Sequence, residues 1–150
     1  MRTLRYHLLP IALCVLIGSF ISAPAAASCS AGSCILVWED NFDGTSLDTA
    51  KWDAMIGNGC SYGICDWGNN ELQYYRSENA VVANGELTIT AKQENFGGKD
   101  YTSARLRTKG LGDWTYGRFE MRARLPTGQG MWSAFWMLPT NSPYGGWPPP

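Results

Sequence analysis

Histidine is almost absent from this chain: the 150 residues contain one, His7. Without imidazole, Ser-His-Asp and Cys-His nucleophilic schemes have no base, and the usual histidine zinc sites have no ligand. Charge is also sparse, at 17% of residues. Beyond the amino-terminal segment no stretch carries apolar residues at a sustained helical period. Any chemistry has to come from carboxylates. Lys and Arg number 12 against 13 Asp and Glu, and phosphate binding normally rests on a clustered cationic excess, so nucleic acid is not an expected partner.

The apolar residues that do run together are at the start. Arg2 and Arg5 precede an apolar stretch from about Leu8 to Ile21, and Ala25-Ala26-Ala27 offers the small residues of a cleavage site, the pattern of a secretory signal over residues 1–27. The stretch is shorter than the ~20 residues a membrane-spanning helix needs. The expected destination is extracellular, with the periplasm as the other oxidising compartment and no membrane attachment after cleavage. Cleavage would remove His7, Arg2, Arg5 and Cys14, leaving ten cationic against thirteen acidic side chains. A neutral substrate suits that balance.

Four cysteines follow the signal, as Cys29-x4-Cys34 and Cys60-x4-Cys65. In a secreted chain this even number is expected to form disulfides, and two local loops are the simplest of the possible connectivities. Zinc sites more often use two-residue gaps. A Cys60–Cys65 bridge would stiffen the loop from Asn58 to Trp67, just ahead of Asn69 and Asn70.

The rest reads as all-β. Val37-Trp38 with Phe42 suggests a first strand and Asp43-Gly44 a turn. Gly85 to Lys92 alternates Leu87, Ile89 and Ala91 with Glu86, Thr88, Thr90 and Lys92. Gly117 to Leu125 alternates Phe119, Met121, Ala123 and Leu125 with Arg118, Glu120, Arg122 and Arg124, a charged face expected to meet solvent. Met131 to Leu138 is apolar on both faces, so a strand there must be covered twice, by core on one side and by core or ligand on the other. Trp132 and Trp136 would project from one face, about 13 Å apart at ~3.3 Å per residue. No repeat, low-complexity tract or linker divides the chain.

Four segments, in order, resemble glycoside hydrolase family 16, in particular its laminarinase-like endo-β-1,3-glucanases: LVWEDNFDG at Leu36 to Gly44, WGNNELQYY at Trp67 to Tyr75, SARLRTKG at Ser103 to Gly110, and GRFEMRARLPTGQGMWSAFWMLP at Gly117 to Pro139. The resemblance implies a concanavalin A-like β-jelly-roll sandwich of two curved antiparallel sheets, the concave one forming an open cleft. By position Arg105 matches an arginine that reaches sugar hydroxyls, with Ser103, Arg105 and Arg107 on one face and Ala104 and Leu106 turned inward. Trp132 and Trp136 match aromatic cleft positions, and Asn69 or Asn70 a sugar-contacting asparagine, alternation putting the two on opposite faces. Glu71 lies in the same motif and is not the family's catalytic glutamate.

The resemblance also implies a Glu-x-Asp-x-(x)-Glu strand following a Trp-Pro loop like Trp147-Pro148. One glutamate would attack the anomeric carbon and the other protonate the leaving oxygen, with retention at a separation of about 5 Å. No position in residues 1–150 matches these carboxylates, so residues 28–150 are expected to be the N-terminal part of one domain that lacks the catalytic set. A chain so divided would leave sheet edges and core uncovered, and is expected to be unstable or inactive alone. Two readings follow: a secreted retaining endo-β-1,3-glucanase, monomeric and acting on β-glucan, or a β-glucan-recognition protein of the same fold without the glutamates. No cofactor is expected; a structural calcium ion is common in the fold, but no ligand set for one stands out in the sequence.

Overall fold

The computed structural model describes residues 35–143. Outside that range lie residues 1–27, expected to be a secretory signal, Cys29 with Cys34, and Trp147-Pro148. The backbone divides after Val37, and the strands belong to the unit that begins at Trp38.

The regular structure of the described residues is strand and 3-10 turn, without an α-helix. No helix among them is long and apolar enough to cross a membrane. The strands are β1 (Asp53–Ala54), β2 (Gln73–Tyr75), β3 (Ala80–Ala83), β4 (Glu86–Ile89), β5 (Lys92–Phe96), β6 (Lys99–Ser103) and β7 (Leu106–Arg107). They form a three-stranded sheet of order β2-β6-β5 and two antiparallel pairs, β1 with β7 and β3 with β4. Within the larger sheet β5 and β6 are antiparallel, whereas β2 runs parallel to β6, Gln73 opposite Tyr101 and Tyr75 opposite Ser103. This parallel pair departs from a purely antiparallel expectation. It arises because the β3–β4 hairpin and β5 intervene, giving the chain the long crossover that parallel neighbours require.

Local chemistry explains where the strands break. Asn84 and Gly85 both take left-handed φ, 54° and 75°, the geometry that closes a two-residue hairpin and matches the strands' twist. Alternation from Gly85 to Lys92 predicts one continuous strand. The structure divides it, because β4 pairs with β3 while β5 pairs with β6. Between them the Thr90 N–H is taken by the Asn79 carbonyl at 2.8 Å.

A small core holds these pieces together. Met55, Trp67, Val82 and Ala104 are its buried apolar members, and Asn79 and Thr102 are buried with them. The Asn79 amide donates to the Thr90 carbonyl at 2.8 Å and to Thr102 Oγ1 at 2.9 Å, and the Thr102 hydroxyl donates to Glu94 Oε1 at 2.5 Å. Buried polar groups are tolerable when paired in this way, and this network ties the end of the 3-10 turn Ser77–Asn79 to β5 and β6. A second cluster packs Trp38 edge-on against both Trp52 and Trp114, each at 5.5 Å.

Three expected strands do not form as such. Around Phe42 the Asp40 side chain accepts the Phe42 N–H at 2.9 Å and the Trp52 indole N–H at 2.7 Å. Phe42 turns to a φ of 55°. A side chain that captures a nearby backbone donor competes with a sheet ladder, and here it replaces the strand with a cap on the aromatic cluster. The segments 117–125 and 131–138 run without strand pairing among the described residues. Alternation in the first and an apolar run in the second both suit a strand, but a strand is defined by a neighbour, and the described residues supply none. On the charged side Arg118 ion-pairs with Glu120.

Candidate functional site

The loop before β2 is an unusual piece of backbone. Cys60 and Cys65 are bonded to each other as expected, closing a loop whose two 3-10 turns are Cys60–Tyr62 and Cys65–Gly68. Inside the second turn Asp66 and Trp67 take φ of 51° and 53°. Left-handed φ is uncommon for any residue with a Cβ and a clear outlier for a bulky one, and it persists only where surroundings enforce it. The Asp66 carbonyl accepts the N–H groups of Asn69 and Glu71 at 3.1 and 3.0 Å. Lys99 Nζ donates to Asp66 Oδ1 at 2.6 Å and to the Glu71 carbonyl at 2.9 Å.

What this backbone achieves is the burial of Trp67, whose relative exposure is 0%. Its indole N–H donates to the Gly57 carbonyl at 3.3 Å, and its ring lies 5.2 Å from Tyr62 and 5.3 Å from Tyr75. The Arg105 guanidinium lies over it, its carbon 4.5 Å from the ring centre, with Trp136 on the ring of contacts at 5.2 Å and Tyr75 at 6.0 Å. Arg107 sits next in line over Tyr62 at 5.5 Å and pairs with Asp53 at 2.6 Å. The sharing of one face by Arg105 and Arg107 is thus realised, and Ala104 is buried as expected.

Glu71 completes the group. Its Oε1 lies 3.7 Å from Arg105 Nη1. Its Oε2 accepts from Gln73 Nε2 at 2.7 Å and from the Tyr75 hydroxyl at 2.6 Å, and Gln73 Nε2 also donates to the Tyr75 oxygen at 2.7 Å. Burial, reinforced by donation to Glu71, pushes the Tyr75 phenol up to about 12. An unfolded tyrosine ionises near 10, so the folded state holds its proton where the unfolded state releases it. The stability due to this phenol is complete below pH 10 and is lost as pH rises through 12. Alkaline unfolding of the whole protein should be shallower over that window in Y75F; equal slopes would show that Tyr75 titrates normally.

Of the residues singled out from the sequence, Arg105, Trp136 and Asn69 come together here. Asn69 Nδ2 is 3.5 Å from Glu71 Oε1. Asn70 adjoins it at a φ of 57°. Both asparagines sit in a turn, so strand alternation does not decide between them. Trp132 stands 83% exposed. Sequence reasoning passed over Trp67, Glu71, Gln73 and Tyr75. The signal was present in the i, i+2, i+4 spacing of the last three, which puts them on one face of β2 and its approach.

A second concavity, of about 340 Å³, lies on the loop that holds Glu39, Asp40, Asp43 and Asp48. Two of its carboxylates are engaged with the chain: Asp40 as above, and Asp48 accepting the Ala50 N–H at 2.9 Å. No group of three or more acidic, cysteine or histidine residues among the described ones is arranged to hold a metal ion.

The chain is similar to known glucanases. It is 54% identical to a beta-glucanase of Rhodothermus marinus over 75% of this chain and 40% of that protein. It is 48% identical to a glucan endo-1,3-beta-glucosidase of Cryptopygus antarcticus over 78% of this chain and 43% of that one. The crystal structure of the laminarinase from Rhodothermus marinus superposes with a TM-score of 0.65 at 53% identity, covering 75% of this chain and 45% of that chain. The chain therefore spans about two fifths of the length of these curated relatives, and its fold class is the all-β jelly-roll sandwich of those laminarinases. The model for glycosyl hydrolases family 16 matches residues 66–146, the stretch that contains Trp67, Glu71, Arg105 and Trp136, and the chain belongs to that family.

Proposed function

We propose that this chain forms the sugar-gripping part of a secreted, retaining endo-β-1,3-glucanase, with residues 1–27 as its secretory signal and 28–150 as part of one catalytic domain. The observation that carries the reading is the Arg105 guanidinium set among Trp67, Trp136 and Glu71. A flat, fixed fork of donors suits paired sugar hydroxyls, and an indole face suits the C–H surface of a pyranose. Asn69 and Asn70 add amides at the rim, and Trp132 a second exposed indole. The partner is a neutral β-glucan, and the carboxylates that cut it belong to residues outside this sequence.

The whole protein should hydrolyse laminarin with net retention, and faster than it hydrolyses lichenan or agarose. The 150-residue chain alone should release no reducing sugar. Laminarin binding without hydrolysis by the whole protein would replace this reading with the recognition protein. Hydrolysis by the chain alone would show that the carboxylates have been misassigned.

A further inference from the structure

Arg105 lies on the short span between β6 and β7 and is itself mostly buried, at 16% side-chain exposure. A long side chain there has many rotamers, and a sugar-binding fork is useful only if its plane is fixed beforehand. The two nearby indoles limit the plane, because a guanidinium stacks on aromatic faces. They do not limit rotation within that plane. One charged group at the guanidinium's rim would do so.

Glu71 occupies that place. Its distance from Arg105 Nη1, 3.7 Å, is within the range of an ion pair but too long for a good hydrogen bond. It therefore orients the cation by charge without consuming its N–H groups. The carboxylate cannot swing in to close that gap. Its other oxygen is held by Gln73 and Tyr75 at 2.7 and 2.6 Å, and its own carbonyl is held by Lys99.

We propose that Glu71 is a positioning residue for Arg105, restrained by Gln73 and Tyr75 at a distance that aims the guanidinium while leaving its donors to the substrate. The proposal rests on the reading of Arg105 as a glucan-binding residue. It accounts for three polar side chains, at 71, 73 and 75, that the binding of sugar by Arg105 and the tryptophans leaves unexplained.

The test is a double-mutant cycle in the whole protein, with laminarin as substrate and kcat and KM measured separately. R105A should raise KM by about 10- to 100-fold, the loss of one or two hydrogen bonds from a charged donor. E71Q, which keeps the shape and removes the charge, should raise KM about fivefold or more, the loss falling on KM rather than kcat. In the R105A background E71Q should change KM by less than about twofold, because coupled residues are non-additive. If E71Q proves poorly folded, Y75F serves in its place, since it keeps the ring against Trp67 and frees one side of the carboxylate. The same loss for E71Q or Y75F with and without Arg105, or no loss at all, would overturn the proposal while leaving the role of Arg105 intact. An R105A protein with the wild-type KM would overturn both.

Discussion

Replacing Gly59 by alanine should lower the stability of the whole protein by more than about 3 kcal/mol, whereas Gly63→Ala, only four residues on, should lower it by about 1 kcal/mol. Both glycines have left-handed φ, 89° and 79°, which an alanine adopts at a cost of roughly 1–2 kcal/mol. They differ in the space around them. A Cβ on Gly63 would meet nothing within 4 Å, while one on Gly59 would strike the Ile64 carbonyl oxygen and lie 3.0 Å from both the backbone nitrogen and the ring of Trp67. Those are backbone atoms and a fully buried ring, which cannot rotate aside.

The Ile64 contact also belongs to the loop's own closure. The Gly59 carbonyl accepts the N–H groups of Tyr62 at 3.0 Å and Ile64 at 3.1 Å, so moving Ile64 outward breaks bonds that the disulfide loop needs. Denaturant midpoints of the two variants measure the difference. Equal losses would mean that the loop yields freely at its neck, and the rigidity assigned to it would be wrong.

How much of this was legible in the sequence depends on whether a residue's partners are near it in the chain. The Cys60–Cys65 bridge, the buried Ala104 and the opposite facing of Arg105 follow from local spacing. Asn84-Gly85 carries a hairpin signal that the strand reading from Gly85 leaves unused, and alternation from Gly85 onward conceals that the strand changes partners after Ile89. Phe42 failed as a strand residue because Asp40, two positions earlier, captures its N–H, a competition that apolar patterning does not register.

The site divides in the same way. Arg105, Asn69 and Trp136 were found through resemblance, and the structure brings them together. Trp67 was read only as the first letter of a motif, because nothing in its neighbours announces two successive left-handed residues. Glu71 has no role in the sequence reading beyond not being the family's catalytic glutamate. Its meaning lies in Arg105, whose long side chain comes within 3.7 Å of it, a contact between distant parts of the chain that local spacing cannot foresee.

Trp67→Ala should be the most damaging of the single changes in the aromatic group, at about 3–5 kcal/mol of stability, the range for deleting a buried large aromatic. The loss comes from packing rather than from the indole hydrogen bond. Gly57's carbonyl, to which that N–H donates, also accepts the Tyr75 N–H at 2.9 Å, so it would not be left bare. Trp67→Phe should therefore lose only about 1–2 kcal/mol, the packing of the missing ring portion. Alanine has a further disadvantage. It retains a Cβ at a φ of 53° and gives up the ring whose burial keeps the backbone there. Trp67→Gly relieves that strain by about 1 kcal/mol, and it should unfold at a denaturant concentration no lower than Trp67→Ala despite the larger cavity. In all three variants the guanidinium of Arg105 loses some or all of its platform, and laminarin affinity should fall in the order Phe, then Ala and Gly together. A Trp67→Phe protein as unstable as Trp67→Ala would place the energy in the hydrogen bond instead, and with it the reason this backbone is held in a left-handed turn.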